Sequence, residues 1–332
     1  MNEILFVKTA EEAGDALPQT DVLYVTDENV YALYKTFFPQ NTCVLPSGED
    51  QKTLRGLEVI CNALVTARVD RQGAVVVVGG GVMGDLAGFA SATYMRGISL
   101  YMVPTTLLSQ VDSAIGGKTA VDLGNLKNII GAFKMPQKIV ICPAFLQTLP
   151  AREWRCGLGE LLKTALLDKE IYAFVSLHIK EIVAREASAV GEAVRLCATF
   201  KKGVTDCDPT EKGERKILNL GHTVGHALEA CDRHKQSHGE YVLSGLYTEA
   251  CMTDAPKDTK QKITALLKEV QPLTFDFGGE SITRTALSDK KNAGGKISVL
   301  RLKNIGEVEE VLFEPLEFAA KYEAAKREEK II

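Results

Sequence analysis

Four of the chain's five histidines fall between positions 222 and 238. In "GHTVGHALE", His222 and His226 stand four apart, on one face of a helix. Thr223 occupies the position where the zinc-protease pattern H-E-x-x-H carries its general base, so that chemistry is excluded. His238 opens a second helical segment with Gly239 and Glu240. Two helix starts that each present a histidine can converge on one ion. A third ligand of carboxylate type is available in "CGLGELLKTALL", where Glu160 lies in a segment that is apolar nearly all round. A helix of that kind is buried, and a buried carboxylate costs several kcal/mol unless it is paired or metal-bound. Two readings stay open on these residues. Glu160 pairs with Lys163 one turn on, or it joins His222 and His238 in the two-histidine, one-carboxylate set of a catalytic zinc.

A second constellation lies in "AVVVVGGGVMGDLAG", where Gly79, Gly81 and Gly84 fit G-x-G-x-x-G after a strand and before a helix. That pattern lets a backbone approach a pyrophosphate at a helix N-terminus. It also asks for an acid about 20 residues later to hold a ribose, but "LYMVPTTLLSQ" has none. Further on, Gly117, Lys118 and Thr119 resemble the end of a Walker A loop. Its first glycine would fall on Asp112, whose charge would repel phosphates, so a triphosphatase is excluded. What remains is a glycine-rich loop carrying Lys118, followed by Lys127 and Asn128 in "LGNLKN". Each lysine is either a solvated surface residue or part of a small-anion site. Asp208, Glu211, Arg215 and Asn219 precede His222; Asn219 can be read as a helix N-cap and Arg215 as exposed. Lys290 and Lys291 sit before glycines in "LSDKKNAGGK", which by itself reads as a solvated turn.

The elements that must position these residues change character along the chain. The first part alternates strands with helices. "DVLYVTDENV" is a strand ending at Asp27, "TLRGLEVICNALVTARV" is helical, and "AVVVVGG" is a continuous apolar strand of a parallel sheet buried on both faces. "DLAGFASATYM" is a small-residue helix, and "SLYMVP" and "KIVICP" are further strands. From about Pro150, where "TLPAREW" breaks the pattern, the chain reads as helices. The expectation is an α/β Rossmann-like N-terminal domain over 1–150 and a mostly α-helical C-terminal domain over 151–332, with one active site between them. The 332 residues carry a net charge of −4, which provides no broad basic field for nucleic acid. No apolar run is long enough to span a membrane, and the first residues lack signal-peptide regions. The eight cysteines scatter without a C-x-x-C pair, which argues against a disulfide framework or zinc knuckle and for a reducing, cytoplasmic setting.

Taken together, "PSGEDQK", "GGGVMGDLAGFASATYMRG", "VPTTLLSQVDSAIGGKTAVD", "LKNIIGAF", "GELLK", "LNLGHTVGHALE", "HGE" and "DKKNAGG" resemble the 3-dehydroquinate synthases, in that family's order over about residues 20 to 300. The resemblance implies a homodimer that uses NAD+ and a divalent metal, zinc or cobalt. It implies Glu160, His222 and His238 as metal ligands. It places Asp27, Glu49 and Lys52 at the adenosine half of NAD, and Gly80, Gly81, Asp85, Thr105 and Thr106 along the pyrophosphate and nicotinamide. It matches Asp112, Lys118, Lys127, Asn128, Lys163, Lys201, Arg215, Asn219 and His226 to the substrate pocket and its cofactor side. Lys290, more than Lys291, corresponds to a residue that closes on substrate, and Arg96 to one that reaches a neighbouring subunit's site. After "HGEYVLSGLYTEACM" the chain passes quickly to "TDAPKDTKQKITALL", where the family has a longer helical stretch, with no matched catalytic position lost.

The implied reaction converts 3-deoxy-D-arabino-heptulosonate 7-phosphate to 3-dehydroquinate and phosphate. It runs through transient oxidation, phosphate elimination, re-reduction, ring opening and aldol closure. Lys118, Asn128, Lys290 and Arg96 suit the phosphate; Lys201, Arg215 and Asn219 suit the carboxylate. His226, oriented by Glu211, suits proton transfer in ring opening. The competing expectations are a sister sugar-phosphate cyclase such as a 2-deoxy-scyllo-inosose synthase, a metal-dependent polyol dehydrogenase, and a non-catalytic NAD-binding module.

Overall fold

A computed structural model describes residues 3–124, 126–288 and 295–329. The chain forms two compact units. One comprises the residues up to Pro150 together with Lys201–Thr210, the other Ala151–Phe200 with the chain from Glu211 onward.

The first unit is built on a sheet of six parallel strands: β1 (Glu3–Phe6), β2 (Val22–Asp27), β3 (Thr42–Leu45), β4 (Ala74–Gly79), β5 (Ser99–Pro104) and, after a hairpin of β6 (Lys118–Leu123) and β7 (Leu126–Phe133), β8 (Lys138–Ile141). The order is β1-β8-β5-β4-β2-β3. Helices α1 (Ala10–Asp15), α2 (Glu28–Leu33), α3 (Leu54–Thr66) and α4 (Gly81–Thr93) connect the strands. Every residue of β4 is buried, as its unbroken valine run requires of a strand covered on both faces. The strand order reverses around β2 and β4: the chain goes from β2 outward to β3, then returns to the other side of β2 to form β4 and continues away. Ligands of open parallel sheets bind at the carboxyl ends of strands at such a switch. Asp27 ends β2 and Gly79 ends β4, so the acid and the glycine loop are neighbours there.

The segments around Lys118 and Asn128 are not the glycine-rich loops that composition suggests. They are the paired strands of the β6–β7 hairpin, with Lys118 opposite Phe133. Gly131 sits where a Cβ would lie 2.3 Å from the Thr119 carbonyl, so the glycine serves strand packing rather than an anion.

The second unit is mainly helical: α5 (Ala151–Leu166), α6 (Lys169–Val183), α7 (Ala187–Cys207, whose residues from Lys201 belong to the first unit), α8 (His222–Cys231), α9 (His238–Met252), α10 (Lys257–Val270), α11 (Gly279–Leu287) and α12 (Pro315–Glu329). The stretch from Gly159 to Ala187 reads as one helix from composition but divides at Asp168, whose side chain caps α6 by accepting from the Glu170 and Ile171 amides. The second unit also contains an antiparallel hairpin, β9 (Ile297–Asn304) and β10 (Glu307–Phe313), that the helical reading omits. Alternating β-branched residues in "KISVLRL" are its signal, with Ile297, Val299 and Leu302 buried. α9 is buried from Gly239 to Met252 and forms the middle of this unit, with α5 and α8 against it.

Candidate functional site

Two helix starts and one buried helix of the second unit bring the predicted ligands together. His222 is the first residue of α8 and His238 the first of α9, while Glu160 lies in the fully buried half of α5. Each is preceded or followed by a glycine, and the glycines are where backbones touch. A Cβ on Gly159 would lie 2.5 Å from the Gly239 carbonyl oxygen, and one on Gly239 would lie 2.0 Å from that of Cys156. A Cβ on Gly245 would meet the Gly221 carbonyl at 2.0 Å. α9 thus lies in contact with both α5 and α8, and the side chains next to those contacts converge.

The resulting geometry is compact. Glu160 Oε1 lies 3.2 Å from His222 Nε2 and 3.3 Å from His238 Nε2. Ligand nitrogens of His222, His226 and His238 all lie within 4.8 Å of one another. The remote nitrogens of the two imidazoles facing Glu160 are tied down: His222 Nδ1 lies 3.0 Å from the Leu220 carbonyl, and His238 Nδ1 3.0 Å from Glu229 Oε2. Burial alone would raise the Glu160 carboxyl, but Lys163 and the imidazoles outweigh it and hold it well below the usual carboxylate range. Burial pushes His222 down to about 4, with Glu160 offsetting only part. At His238 the same burial is overcome by hydrogen bonds to Glu160 and Glu229, which push it up to about 10. Two carboxylates therefore bracket His238 and demand positive charge between them. A buried carboxylate, two oriented imidazoles and this demand fit a divalent ion of zinc type. Glu160 also makes, through Oε2, the ion pair with Lys163 that composition offered as the alternative, while Oε1 faces the two imidazoles.

Two residues of this region escape a reading of composition. Gly221, left-handed at φ 76°, offers α8 no side-chain cap. Glu249 of α9 supplies one instead, its carboxylate accepting from the Gly221 amide at 2.8 Å and the Val224 amide at 2.9 Å. Asn219 is not an N-cap; it ends a 3₁₀ turn (Glu214–Asn219) and its Nδ2 donates to Glu211 Oε1 at 2.9 Å. Arg215 is buried rather than exposed. Glu249 carries the signal that marked Glu160, an acid inside an apolar helix, whereas Glu229 near the end of α8 carries none.

In the first unit, Gly80 is the N-cap of α4, and the helix receives no side-chain cap. A cleft beside it is lined by Gly79, Gly80, Gly81, Gly84, Met102, Ser109 and Ser113, among others. The space is tight: a Cβ on Gly80 would come within 2.9 Å of the Thr106 methyl. The Thr105 amide donates to the Gly79 carbonyl at 3.0 Å, and Thr106 Oγ1 bonds to Ser109 Oγ at 2.7 Å. Asp27 uses Oδ1 to cap α2, accepting from the Asn29 and Val30 amides. Its Oδ2 lies 3.7 Å from where a Gly79 Cβ would stand, so the second oxygen sits beside the glycine turn. An acid beside the glycine turn thus stands before the loop, on the adjacent strand, and not after it.

Lys52, Asp85 and Asn128 carry separate expectations, yet the fold joins them. Lys52 Nζ lies 2.5 Å from Asp85 Oδ2 and donates to Asn128 Oδ1 at 2.5 Å. Burial would lower Lys52, but Asp85 outweighs it and its ammonium titrates above the usual lysine range. Burial raises the Asp85 carboxyl, with Lys52 only partly compensating. Asp112 and Lys201 pair at 2.7 Å, and Lys127 lies 3.9 Å from Glu49. Lys118 is exposed, as is Arg96, which has a left-handed φ of 67°. Lys290 and Lys291 lie outside the described residues.

Family models described as 3-dehydroquinate synthase N-terminal and C-terminal match residues 42–156 and 157–292. A 3-dehydroquinate synthase of Alkaliphilus metalliredigens is 36% identical over 316 residues, covering 90% of this chain and 88% of the relative. The chain belongs to the 3-dehydroquinate synthase family. A second 3-dehydroquinate synthase, of Geobacter metallireducens, is 38% identical over 286 residues, covering 80% and 79%. Among solved structures, the 2-epi-5-epi-valiolone synthase ValA of Streptomyces hygroscopicus, with NAD+ and Zn2+ bound, superposes with a TM-score of 0.89 at 22% identity, covering 99% and 97%. A 2-deoxy-scyllo-inosose synthase complexed with carbaglucose-6-phosphate, NAD+ and Co2+ follows at 0.85 and 23%, covering 97% and 96%. These likenesses establish that this member of the 3-dehydroquinate synthase family shares the fold of those two synthases.

Proposed function

We propose that the chain converts 3-deoxy-D-arabino-heptulosonate 7-phosphate to 3-dehydroquinate and phosphate, with NAD+ regenerated within each turnover and a divalent metal, zinc or cobalt, held by Glu160, His222 and His238. The observation that carries this reading is the Glu160 Oε1 position, within 3.3 Å of both imidazole Nε2 atoms, in a chain of this family. Bound in these sites, the ion would acidify the substrate hydroxyl to be oxidised and NAD+ would accept the hydride. Asp27 Oδ2 is assigned to a ribose hydroxyl of the cofactor, with Glu49 and Lys52 on the same side. Gly80, Gly81, Asp85, Thr105, Thr106, Lys127 and Asp112 are assigned to its remaining length. Lys118, Asn128, Arg96 and Lys290 are assigned to the substrate phosphate, and Lys201, Arg215 and Asn219 to its carboxylate. Lys163 neutralises Glu160. His226 has its ring 5.1 Å from that of His222 and is assigned the proton transfer of ring opening. Asn219 occupies the Glu211 oxygen proposed to orient it.

Incubation with NAD+, Zn2+ and the heptulosonate phosphate, following phosphate and NADH together, tests this. Phosphate should be released over many turnovers without NADH accumulating. Stoichiometric NADH would identify a polyol dehydrogenase, and turnover of glucose 6-phosphate a sister cyclase.

The assembly proposed is a homodimer in the cytoplasm. Leu123, Leu126 and Phe133 on the β6–β7 hairpin are 49, 60 and 52% exposed, a concentration of apolar surface suited to a second copy. Light scattering should report twice the chain mass, and a Leu126→Asp, Phe133→Asp variant the chain mass itself. No described helix is long and apolar enough to cross a membrane, and the eight cysteines form no disulfide.

A further inference from the structure

The two histidines that face Glu160 are held differently. His222 is oriented by a neutral group, the Leu220 carbonyl, at 3.0 Å. His238 is oriented by an anion, Glu229 Oε2, also at 3.0 Å. Glu229 lies near the end of α8 and is 8% exposed. Its other oxygen, Oε1, is 3.1 Å from Nδ1 of His234. The chain makes this contact possible by leaving α8 through two successive left-handed residues, Arg233 and His234, at φ 55° and 57°. The His234 amide returns to the Glu229 carbonyl at 3.0 Å, which folds the imidazole back over the carboxylate. Tyr241 of α9 fastens the same turn, its hydroxyl donating to Asp232 and accepting from the Gln236 amide. The connection between α8 and α9 is thus built around one carboxylate, which spans His238 at the site and His234 toward solvent.

We propose that Glu229 is a positioning residue for the metal centre: it accepts a hydrogen bond from Nδ1 of His238, which leaves Nε2, beside Glu160, as the nitrogen that takes an ion in exchange for its proton, and it adds a negative charge one bond-shell outside the ligand set. His234 occupies the remaining oxygen and holds the carboxylate in that orientation. A histidine ligand whose other nitrogen is held by a carboxylate is more basic and rotationally fixed, and loss of such a partner typically costs about 10–100-fold in metal affinity. The proposal rests on reading Glu160, His222 and His238 as the ligands.

The test is titration of Co2+ into metal-free full-length protein, read by the visible d–d absorption, with Zn2+ affinity measured by chelator competition. Glu229→Gln keeps the shape and one accepting oxygen but loses the charge; Glu229→Ala loses both. The expected result is weakening of about tenfold in the first and approaching a hundredfold in the second, with altered intensity of the Co2+ band. Glu160→Gln serves as the control. If it binds Co2+ as wild type does, the ligand assignment itself is wrong, and the role of Glu229 falls with it. If the control loses the metal while both Glu229 variants bind within about threefold of wild type, well short of the usual loss, with the same band, the ligand assignment stands and the role of Glu229 is overturned.

Discussion

Glu160→Gln should remove metal binding and with it nearly all turnover. The substitution keeps the side-chain shape but takes away the charge that lies between His222, His238 and Lys163. Where the metal supplies several kcal/mol of transition-state stabilisation, its loss corresponds to about three powers of ten in kcat/KM. A second effect accompanies it. Lys163 is as deeply buried as its partner, with 2% of each side chain exposed. Removing one member of such a pair leaves a buried charge uncompensated and costs about 3–5 kcal/mol. Measuring both effects separates the two roles of this carboxylate. Urea unfolding of the metal-free protein reports the pairing of Glu160 with Lys163 and the imidazoles, without the metal. Chelator competition and steady-state rates on the folded enzyme report the metal. Loss of stability with metal affinity and kcat/KM unchanged would reduce Glu160 to the partner of Lys163.

Gly239→Ala should do comparable damage without touching a single functional side chain. Its Cβ would stand 2.0 Å from the Cys156 carbonyl oxygen and 2.8 Å from the Cys156 Cα, so the obstacle is backbone, which no rotamer change relieves. Separating α5 from α9 enough to admit the methyl loosens a close-packed interior, at about 3 kcal/mol or somewhat more. The site suffers in proportion, because His238 precedes Gly239 and Glu160 follows Gly159 at the same crossing. Misplacing reacting groups by about 1 Å costs on the order of a hundredfold in rate. Denaturant midpoint, Co2+ affinity and kcat/KM should therefore all fall, whereas Gly203→Ala, exposed in α7 where a Cβ would meet nothing within 4 Å, should hold the midpoint or raise it, since alanine favours a helix over glycine. An alanine at 239 with wild-type metal affinity would show that the helix contact does not set the ligand geometry.

Much of this was legible in the amino-acid order because it depends on neighbours along the chain. The valine run of β4 and the glycines after it report a buried strand turning into a helix. The apolar surround of Glu160 reports a carboxylate that must be compensated, and the same reasoning applied to "YVLSGLYTEAC" would have found Glu249. Spacing placed His222 and His238 at helix starts. The hairpin β6–β7 escapes composition because Gly116, Gly117, Gly124 and Gly131 look alike there, though three of them are at positive φ beside the strands and the fourth is pressed against a facing backbone.

What only the tertiary structure decided is which distant segments meet. The glycine pattern by itself asks for a ribose acid downstream of the loop. The sheet instead puts β2 beside β4, so Asp27 reaches the loop from upstream. Lys52, Asp85 and Asn128 belong to a helix approach, a helix and a hairpin, and nothing local in any of them announces that one ammonium holds both partners. Glu229 is an unremarked acid on α8 until the turn at Arg233 and His234 folds α9 back onto it. Periodicity and composition record the environment each residue requires; the partner that satisfies the requirement is selected by strand order and helix crossing, which arise from packing among segments far apart in the chain.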